Sequence, residues 1–181
     1  MKSRIAALIG LLVVAGCAGT EPPVQTSDET ARTADALQAF RPSLAQEAEV
    51  VAALHTLFDA LGTGDAELLR SIVDPSVVMH FSETRDGVTT FGSSTLDGLA
   101  TRITSSDVPL IERMWNPVVI VNGPLATIWT PYDFYVGPDF SHCGIDAANL
   151  MRTDEGWRIV ALSWTRLQPP ACETHPGGPP A

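Results

Sequence analysis

Between residues 43 and 104, the apolar positions first follow helical spacing and then the alternation of strands. Ser43 is placed to cap a helix whose apolar stripe runs to the glycines at 62 and 64, and Asp65 is placed to cap a second, shorter helix. Short β-rich runs follow at 77–81 and 88–91, and the pattern over 94–104 is helical again.

Beyond Pro109 the chain alternates almost throughout with the period of strands. Turn-forming groups such as Asn122-Gly123 separate these segments. The predicted strands are 110–121, 125–136, 141–151 and 157–166. Helices followed by a long antiparallel meander predict an α+β domain over 44–167, in which N-terminal helices pack on a curved, mainly antiparallel sheet.

Strand alternation also predicts which side chains share a face of that sheet. For the hairpin between 125–136 and 141–151, a two-residue and a four-residue loop give the same grouping. One face is expected to carry polar and aromatic groups, with Gly144 leaving space among them: Glu112, Trp129, Asp133, Tyr135, His142 and Asp146. The turn at Gly156 leaves the face of the last strand open.

The first residues resemble a bacterial lipoprotein signal peptide. Two positive charges precede an apolar run that is shorter than the roughly 20 residues of a membrane-spanning helix. Val14-Ala15-Gly16-Cys17 then resembles a lipobox, although an ordinary signal with a chance cysteine is the alternative. The resemblance predicts a signal peptide at 1–16, a lipid on Cys17, and a domain that is anchored to a membrane rather than spanning it. Ala18 after the cysteine favours the outer membrane, facing the periplasm, in a two-membrane cell.

Both ends of the predicted domain are poor in large apolar groups. Residues 17–43 read as the lipidated cysteine and a disordered tether, with a short helix over 32–40 left open. Residues 168–181 contain five prolines and two glycines, which predicts a tail that is ordered only if another part of the protein holds it.

The charge of the chain excludes one class of partner. Its net charge is −10, and it becomes −12 once residues 1–16 are removed with Lys2 and Arg4. A surface that binds nucleic acid needs clustered Lys and Arg, so we expect no nucleic-acid partner. Lys2 is the only lysine, so the mature chain would have no lysine for a Schiff base or a phosphate loop.

The order of elements resembles the nuclear transport factor 2-like (cystatin-like) superfamily. Four segments look closer still to its lumazine-binding-like and ketosteroid isomerase-like branches: 132–135, 141–146, 152–154 and 156–159. The resemblance covers about residues 45–166 and implies a cone-shaped fold with a cavity and a homodimer. It does not fix the activity, because such folds carry isomerases, cyclases, dehydratases and binding modules.

The predicted polar face supplies the candidate site. Asp133, His142 and Asp146 are the candidate catalytic residues, because a carboxylate beside an imidazole tunes a general base or a proton donor. Trp129, Tyr132, Tyr135 and His80 are the candidate ligand-binding residues, since ligand sites combine apolar walls with a few polar groups. The alternative is that this face meets solvent while the more apolar one packs under the helices.

Other chemistries have weaker support. No two histidines lie at ligand spacing, and no Gly-x-Ser-x-Gly segment occurs, so we expect neither a metal site nor a serine esterase, and no cofactor. Cys143 and Cys172 remain once Cys17 is lipidated, and outside the cytoplasm they favour a disulfide. The alternative is a packed Cys143 and an exposed thiol at Cys172.

The sequence thus leaves three functions open. The first is a lipoprotein of the cell envelope that binds a small, partly aromatic molecule in its cavity. The second, implied by the resemblance, is an enzyme similar to ketosteroid isomerases or polyketide cyclases. In that enzyme Asp133 or Asp146 takes a proton, His142 assists, and Tyr132 or Tyr135 donates to the developing oxyanion. The third is a dimerising interaction module.

Overall fold

The computed structural model describes residues 38–180, in which three helices lie against a seven-stranded sheet. The signal peptide, Cys17 and most of the predicted tether lie outside the described residues. In chain order the elements are α1 (Leu44–Thr63), α2 (Ala66–Ile72), β1 (Val78–Arg85), β2 (Val88–Thr95), α3 (Leu96–Thr104), β3 (Leu110–Met114), β4 (Val118–Asn122), β5 (Leu125–Val136), β6 (Asp139–Thr153) and β7 (Gly156–Arg166).

The two predicted helix caps are confirmed. Ser43 and Gln46 form a reciprocal capping box at the start of α1, and Asp65 accepts from two backbone N–H groups at the start of α2. Gly64 ends α1 in the left-handed conformation, with φ of 69°, which glycine adopts without steric cost.

The sheet has the order β2-β1-β7-β6-β5-β3, and β4 pairs with β5 beyond β3. All pairs are antiparallel except β1 with β7, which is parallel. The helices cover one face of this curved sheet and bury the core between them, which confirms the predicted α+β class. We call this the inner face and the opposite one the outer face.

The predicted strand over 110–121 is two strands. Trp115 and Asn116 form an irregular step before Pro117, with Asn116 at φ of 48°, and the pairing with β5 shifts there by one residue. The proline has no N–H to continue the ladder, which is why the interruption falls at this point.

A second irregularity interrupts β6. Val136 pairs with Asp139 across a two-residue turn, but Tyr135 pairs with Phe140 and Phe134 with His142, so Ser141 is the extra residue of a bulge. A shift by one residue moves side chains to the opposite face. The predicted grouping is therefore wrong in part: Glu112, His142 and Asp146 lie on the inner face, whereas Trp129, Asp133 and Tyr135 lie on the outer face.

The C-terminal residues lie against the outer face. Cys143 and Cys172 form a disulfide, with their Cα atoms 5.8 Å apart, so the bonded alternative for the two thiols is the one that the structure shows. Arg113 donates to the carbonyl oxygen of Gly178, and the backbone N–H of His175 donates to Asp133. The tail is therefore held at three points. Within residues 38–180, no helix combines the length and the apolar character needed to cross a membrane.

Candidate functional site

A cavity of about 240 Å³ opens between the helices and the inner face of the sheet. Helices α1 and α3 supply aliphatic side chains, and the strands supply aromatic and charged ones. The lining residues are Leu57, Leu61, Met79, Phe81, Ser93, Ser94, Leu99, Arg102, Leu110, Glu112, Tyr132, Phe134, His142, Asp146, Leu162, Trp164 and Arg166. The volume is slightly below the roughly 300–1,000 Å³ typical of drug-sized ligands, so the cavity suits a small molecule.

Glu112 on β3 and Asp146 on β6 form a pair of carboxyl groups in this cavity. They lie within hydrogen-bond reach of one another, and Asp146 is almost completely buried. Burial raises the pKa of Asp146 to about 7, and burial together with the neighbouring Asp146 charge raises the pKa of Glu112 well above its ordinary value. The Oδ2 atom of Asp146 is buried and has no hydrogen-bond partner among the described residues. A proton held between the two carboxyl groups would satisfy it.

His142 lies in the same cavity with its ring sandwiched among aromatic groups. It stacks on Phe134 at 4.9 Å and meets Tyr132 edge-on at 5.7 Å. The Ser141 hydroxyl lies 2.9 Å from its Nδ1 atom, so the bulge residue also orients the imidazole. Burial, and then the positive charges of Arg166 and Arg102, lower the pKa of His142 to about 4, which makes the ring neutral at pH 7.

Tyr132 is the one predicted ligand-binding residue that lines this cavity. Its ring is fully buried, and its hydroxyl donates to the carbonyl oxygen of Thr165 at 2.7 Å, passing over Gly144. Burial raises the pKa of Tyr132 far above its ordinary value. Because its proton is committed to Thr165, Tyr132 is better suited to shaping the cavity than to donating to a ligand.

Two arginines complete the charged groups of the cavity. The Arg166 guanidinium lies 4.2 Å from the centre of the Phe81 ring, and Phe81 in turn stacks on Trp164 at 5.2 Å. Arg102 comes from α3 and is exposed. Burial, and then the like charge of Arg102, lower the pKa of Arg166. The cavity thus has a carboxyl pair, a neutral imidazole and two cations on a largely apolar lining.

Asp133 and Tyr135 lie outside the cavity. Asp133 is fully buried on the outer face, where it pairs with Arg113. The Arg113 guanidinium lies 5.3 Å from the centre of the Tyr135 ring, which also contacts Phe140. The structure therefore separates Asp133 from His142, although the sequence placed them together.

Trp129 and His80 lie on the outer face as well. They line a second, more open hollow of about 360 Å³ together with Phe91, Ile145 and Ala147. Trp129 is 54% exposed and Phe91 is 86% exposed. The predicted residues are thus divided between two surfaces: His142, Asp146 and Tyr132 face the cavity, and the other four face outward.

Within residues 38–180, no three His, Cys, Asp or Glu side chains are arranged to hold a metal ion. No family model and no curated protein matches the chain. One similar solved structure is a protein of unknown function from Mycobacterium tuberculosis, with 15% identity over 70% of this chain and 74% of that one and a TM-score of 0.56. Another is an NTF2-like protein from Cytophaga hutchinsonii, with 13% identity over 67% of this chain and 98% of that one and a TM-score of 0.54. A third is a protein of unknown function with a cystatin-like fold from Nostoc punctiforme, with 9% identity over 71% of this chain and 95% of that one and a TM-score of 0.54.

The chain has the nuclear transport factor 2-like fold. At these identities the likeness shows the fold alone, so the chemistry of the cavity has to be argued from its own residues. Within this fold the helices and the inner face enclose the cavity, and the bulges of β3–β4 and β6 decide which polar residues enter it.

The sequence did not single out four of the residues that shape the cavity. The sequence pattern places Glu112 on the polar face but indicates no role for it, and it indicates no role for Phe81, Arg102 or Arg166. Arg166 could have been found from its position, because it ends a predicted strand in which apolar residues alternate. Because the length of the turn at Gly156 is open in the sequence, the pattern does not show on which face of the sheet Arg166 lies. Glu112 could have been found from the same alternation once both bulges were known.

Proposed function

We propose that the protein binds a small, partly aromatic molecule in the inner cavity, and that it does so as a lipoprotein of the cell envelope. The observation that carries the binding proposal is the Glu112–Asp146 pair in an otherwise largely apolar cavity. Buried carboxyl groups that hold a proton can donate to a neutral acceptor such as a carbonyl oxygen, while the aliphatic side chains of α1 cover the ligand body.

The binding proposal is tested by thermal unfolding of the full chain with a panel of small aromatic ketones and phenols. We expect at least one compound to raise the melting temperature of the wild type and to lose most of this effect in Asp146→Asn and Glu112→Gln. Asp154→Asn is the matched control, because it makes the same change at an exposed carboxylate outside the cavity. A panel that shifts the wild type and Asp146→Asn equally would place binding elsewhere.

The anchor is supported by the sequence of residues 1–17. Expression of the full chain in a Gram-negative host with a labelled fatty acid tests it. We expect label on the wild type and on Cys172→Ser, and none on Cys17→Ser. Label on all three proteins, or on none, would contradict the lipid at Cys17. Fractionation of the same cells into inner and outer membranes tests whether the protein is located in the outer membrane.

The second candidate is an enzyme that uses a carboxyl base, and the pKa of Asp146 at about 7 favours it. Asp146 would take a proton from the carbon beside a substrate carbonyl, and the neutral carboxyl of Glu112 would donate to the oxygen on which the negative charge develops. This arrangement uses Asp146 in place of Asp133, which lies outside the cavity, and Glu112 in place of a tyrosine.

A screen for isomerase, cyclase and dehydratase turnover tests the second candidate. We expect any activity found to fall about 100-fold or more in Asp146→Asn, because positioned general bases contribute rate factors of that order. Asp133→Asn is the control, and it should keep the turnover of the folded fraction. Ligand shifts without turnover on any substrate would favour binding alone.

The branch of the fold and the homodimer stay predictions. The exposed apolar residues of the outer face, Trp129 and Phe91 among them, are the surface that we expect a second copy to cover. Light scattering over a range of concentrations measures the mass in solution. A Trp129→Arg variant should shift a dimer to monomer.

A further inference from the structure

Most of the arginines in residues 38–180 have a carboxylate partner, and two that line the cavity do not. The arginines in ion pairs are Arg70, Arg85, Arg113, Arg152 and Arg158. Among the described residues, Arg102 and Arg166 have no carboxylate within 4 Å. Arg166 lies opposite Glu83 across β1 and β7, and the charges of Glu83 and Glu112 favour its charged form, but neither carboxylate comes within 4 Å of its guanidinium. The cavity therefore contains two cations that no carboxylate of the described residues holds in an ion pair.

The surroundings of Arg166 make this unusual. Its Nε atom is buried and has no hydrogen-bond partner among the described residues, while the carbon of its guanidinium lies 4.2 Å from the centre of the Phe81 ring. Arg102 is close enough for the two charges to repel each other. A buried donor and an unpaired like charge both cost free energy, and an anion bound between the two arginines would offset both costs.

The carboxyl pair does not supply that anion. Neither Glu112 nor Asp146 comes within 4 Å of the Arg166 guanidinium, and burial raises the pKa of both carboxyl groups, which favours their neutral forms. The positive charge of the two arginines is thus available to a molecule that enters the cavity.

We propose that the cavity selects a small apolar carboxylate, bound through its oxygens by Arg102 and Arg166 and along its apolar body by Leu57, Leu99 and Phe134. A planar carboxylate fits the fork of a guanidinium, and the aliphatic and aromatic walls fit one or two fused rings. This inference rests on the proposed binding function, and it names the chemical class of the ligand.

Naphthalene-2-carboxylate and its neutral partner naphthalene-2-carboxamide are the probes, since they differ little except in charge. Calorimetric titration of the full chain measures both affinities. We expect the wild type to bind the carboxylate about 10-fold or more tightly than the amide. Arg166→Met and Arg102→Met should each weaken carboxylate binding about 10-fold and leave amide binding within about two-fold.

Two further variants separate charge from packing. Arg166→Lys keeps the charge and loses the fork, so it should weaken carboxylate binding less than Arg166→Met does. Arg152→Met removes a half-exposed arginine that pairs with Glu49 outside the cavity, and it should leave both affinities unchanged. If Arg166→Met fails to fold, Arg102→Met carries the test, because Arg102 is exposed and its replacement disturbs little packing.

The outcomes distinguish the two levels of the proposal. Equal binding of the two probes, or tighter binding of the amide, with loss in Asp146→Asn, would overturn the anion inference and keep the binding function. Carboxylate binding that Arg152→Met weakens as much as Arg102→Met does would also overturn it. No binding of either probe, together with no shift from the ketone and phenol panel, would overturn both.

Discussion

Arg113 and Asp133 face each other across β3 and β5 on the outer face and form a two-pronged ion pair, with Nε–Oδ1 at 3.0 Å and Nη2–Oδ2 at 2.6 Å. The same pair holds the tail, because Arg113 also donates to Gly178 and Asp133 also accepts from His175. The residue that the sequence placed in a catalytic cluster therefore fixes the C-terminal segment.

We expect Asp133→Asn to lower the free energy of unfolding by about 2–4 kcal/mol, because it leaves the Arg113 charge without its buried partner. Urea unfolding measures this change, and limited proteolysis should show earlier cleavage within 168–180. Asp97→Asn is the control, since its ion pair with Arg70 is exposed and should contribute less than about 1 kcal/mol. Equal effects of the two substitutions would contradict the assigned role of Asp133.

The disulfide gives a prediction on the same segment. The denatured, unreduced protein should take up alkylating agent at neither Cys143 nor Cys172, and at both after reduction, as measured by peptide mass. Cys172→Ser should lower the free energy of unfolding by about 3.6 kcal/mol, the value expected for a closed loop of this length. Alkylation of both thiols before reduction would be decisive against the bridge.

Gly144 is predicted to tolerate no side chain. A Cβ atom there would overlap the carbonyl oxygen of Thr165 and come within 2.6 Å of its Oγ1. Gly144→Ala should therefore lower the free energy of unfolding by about 3 kcal/mol or more. The control is Gly62→Ala in α1, where the nearest atom is 4.0 Å away and the better helix former should raise stability by up to about 1 kcal/mol. Thermal unfolding that ranks Gly144→Ala level with Gly62→Ala would show that β7 can move away.

The carboxyl pair predicts a pH dependence of stability. Asp146 titrates near pH 7 in the folded protein and near 4 when unfolded, so the folded state holds a proton that the unfolded chain releases. The stabilisation that this proton gives the folded state is complete below about pH 4 and is lost as the pH rises through 7. His142 acts in the opposite direction between pH 4 and 6.5, because the unfolded chain then binds a proton that the buried ring does not.

Comparison with Asp146→Asn isolates the carboxyl contribution. The difference in unfolding free energy, wild type minus variant, should fall by on the order of 1–3 kcal/mol between pH 5 and pH 8. Urea unfolding at a series of pH values measures it, with the exposed Asp154→Asn as control. Glu112 is the other carboxyl group of the pair, and the charges of Arg166 and Asp133 also act on it, so the Glu112→Gln variant should also change the slope. A difference that is constant with pH would mean that Asp146 is ionised throughout.

Local signals along the chain predicted the helices and most of the turns, although the turn expected at Asn122-Gly123 lies one residue later. Ser43 and Asp65 cap where they are predicted to, because capping depends on hydrogen bonds within a few residues. The hairpin strands β1 and β2 extend further than the predicted 77–81 and 88–91, since β2 pairs along its whole length with β1 despite its polar composition. Pairing with a neighbour, rather than the residues themselves, set those boundaries.

The candidate site was predictable only in part. The bulge in β6 and the one at Trp115–Pro117 each shift the pairing with β5 by one residue. Both shifts move side chains to the same face, so His142, Asp146 and Glu112 share a face as predicted. Asp133 lies on β5 between the two bulged strands, so its side chain points to the other face. Alternation along one strand contains no information on an extra residue in its neighbour.

The sequence by itself determined the α+β class, the helix caps and the acidic character of the chain, because these depend on local spacing and composition. Tertiary structure alone decided that Asp133 holds the tail with Arg113 and that Asp146 is buried beside Glu112. The reason is physical: strand register is set by pairing between distant segments, and a carboxyl group acquires its pKa from what that pairing buries beside it.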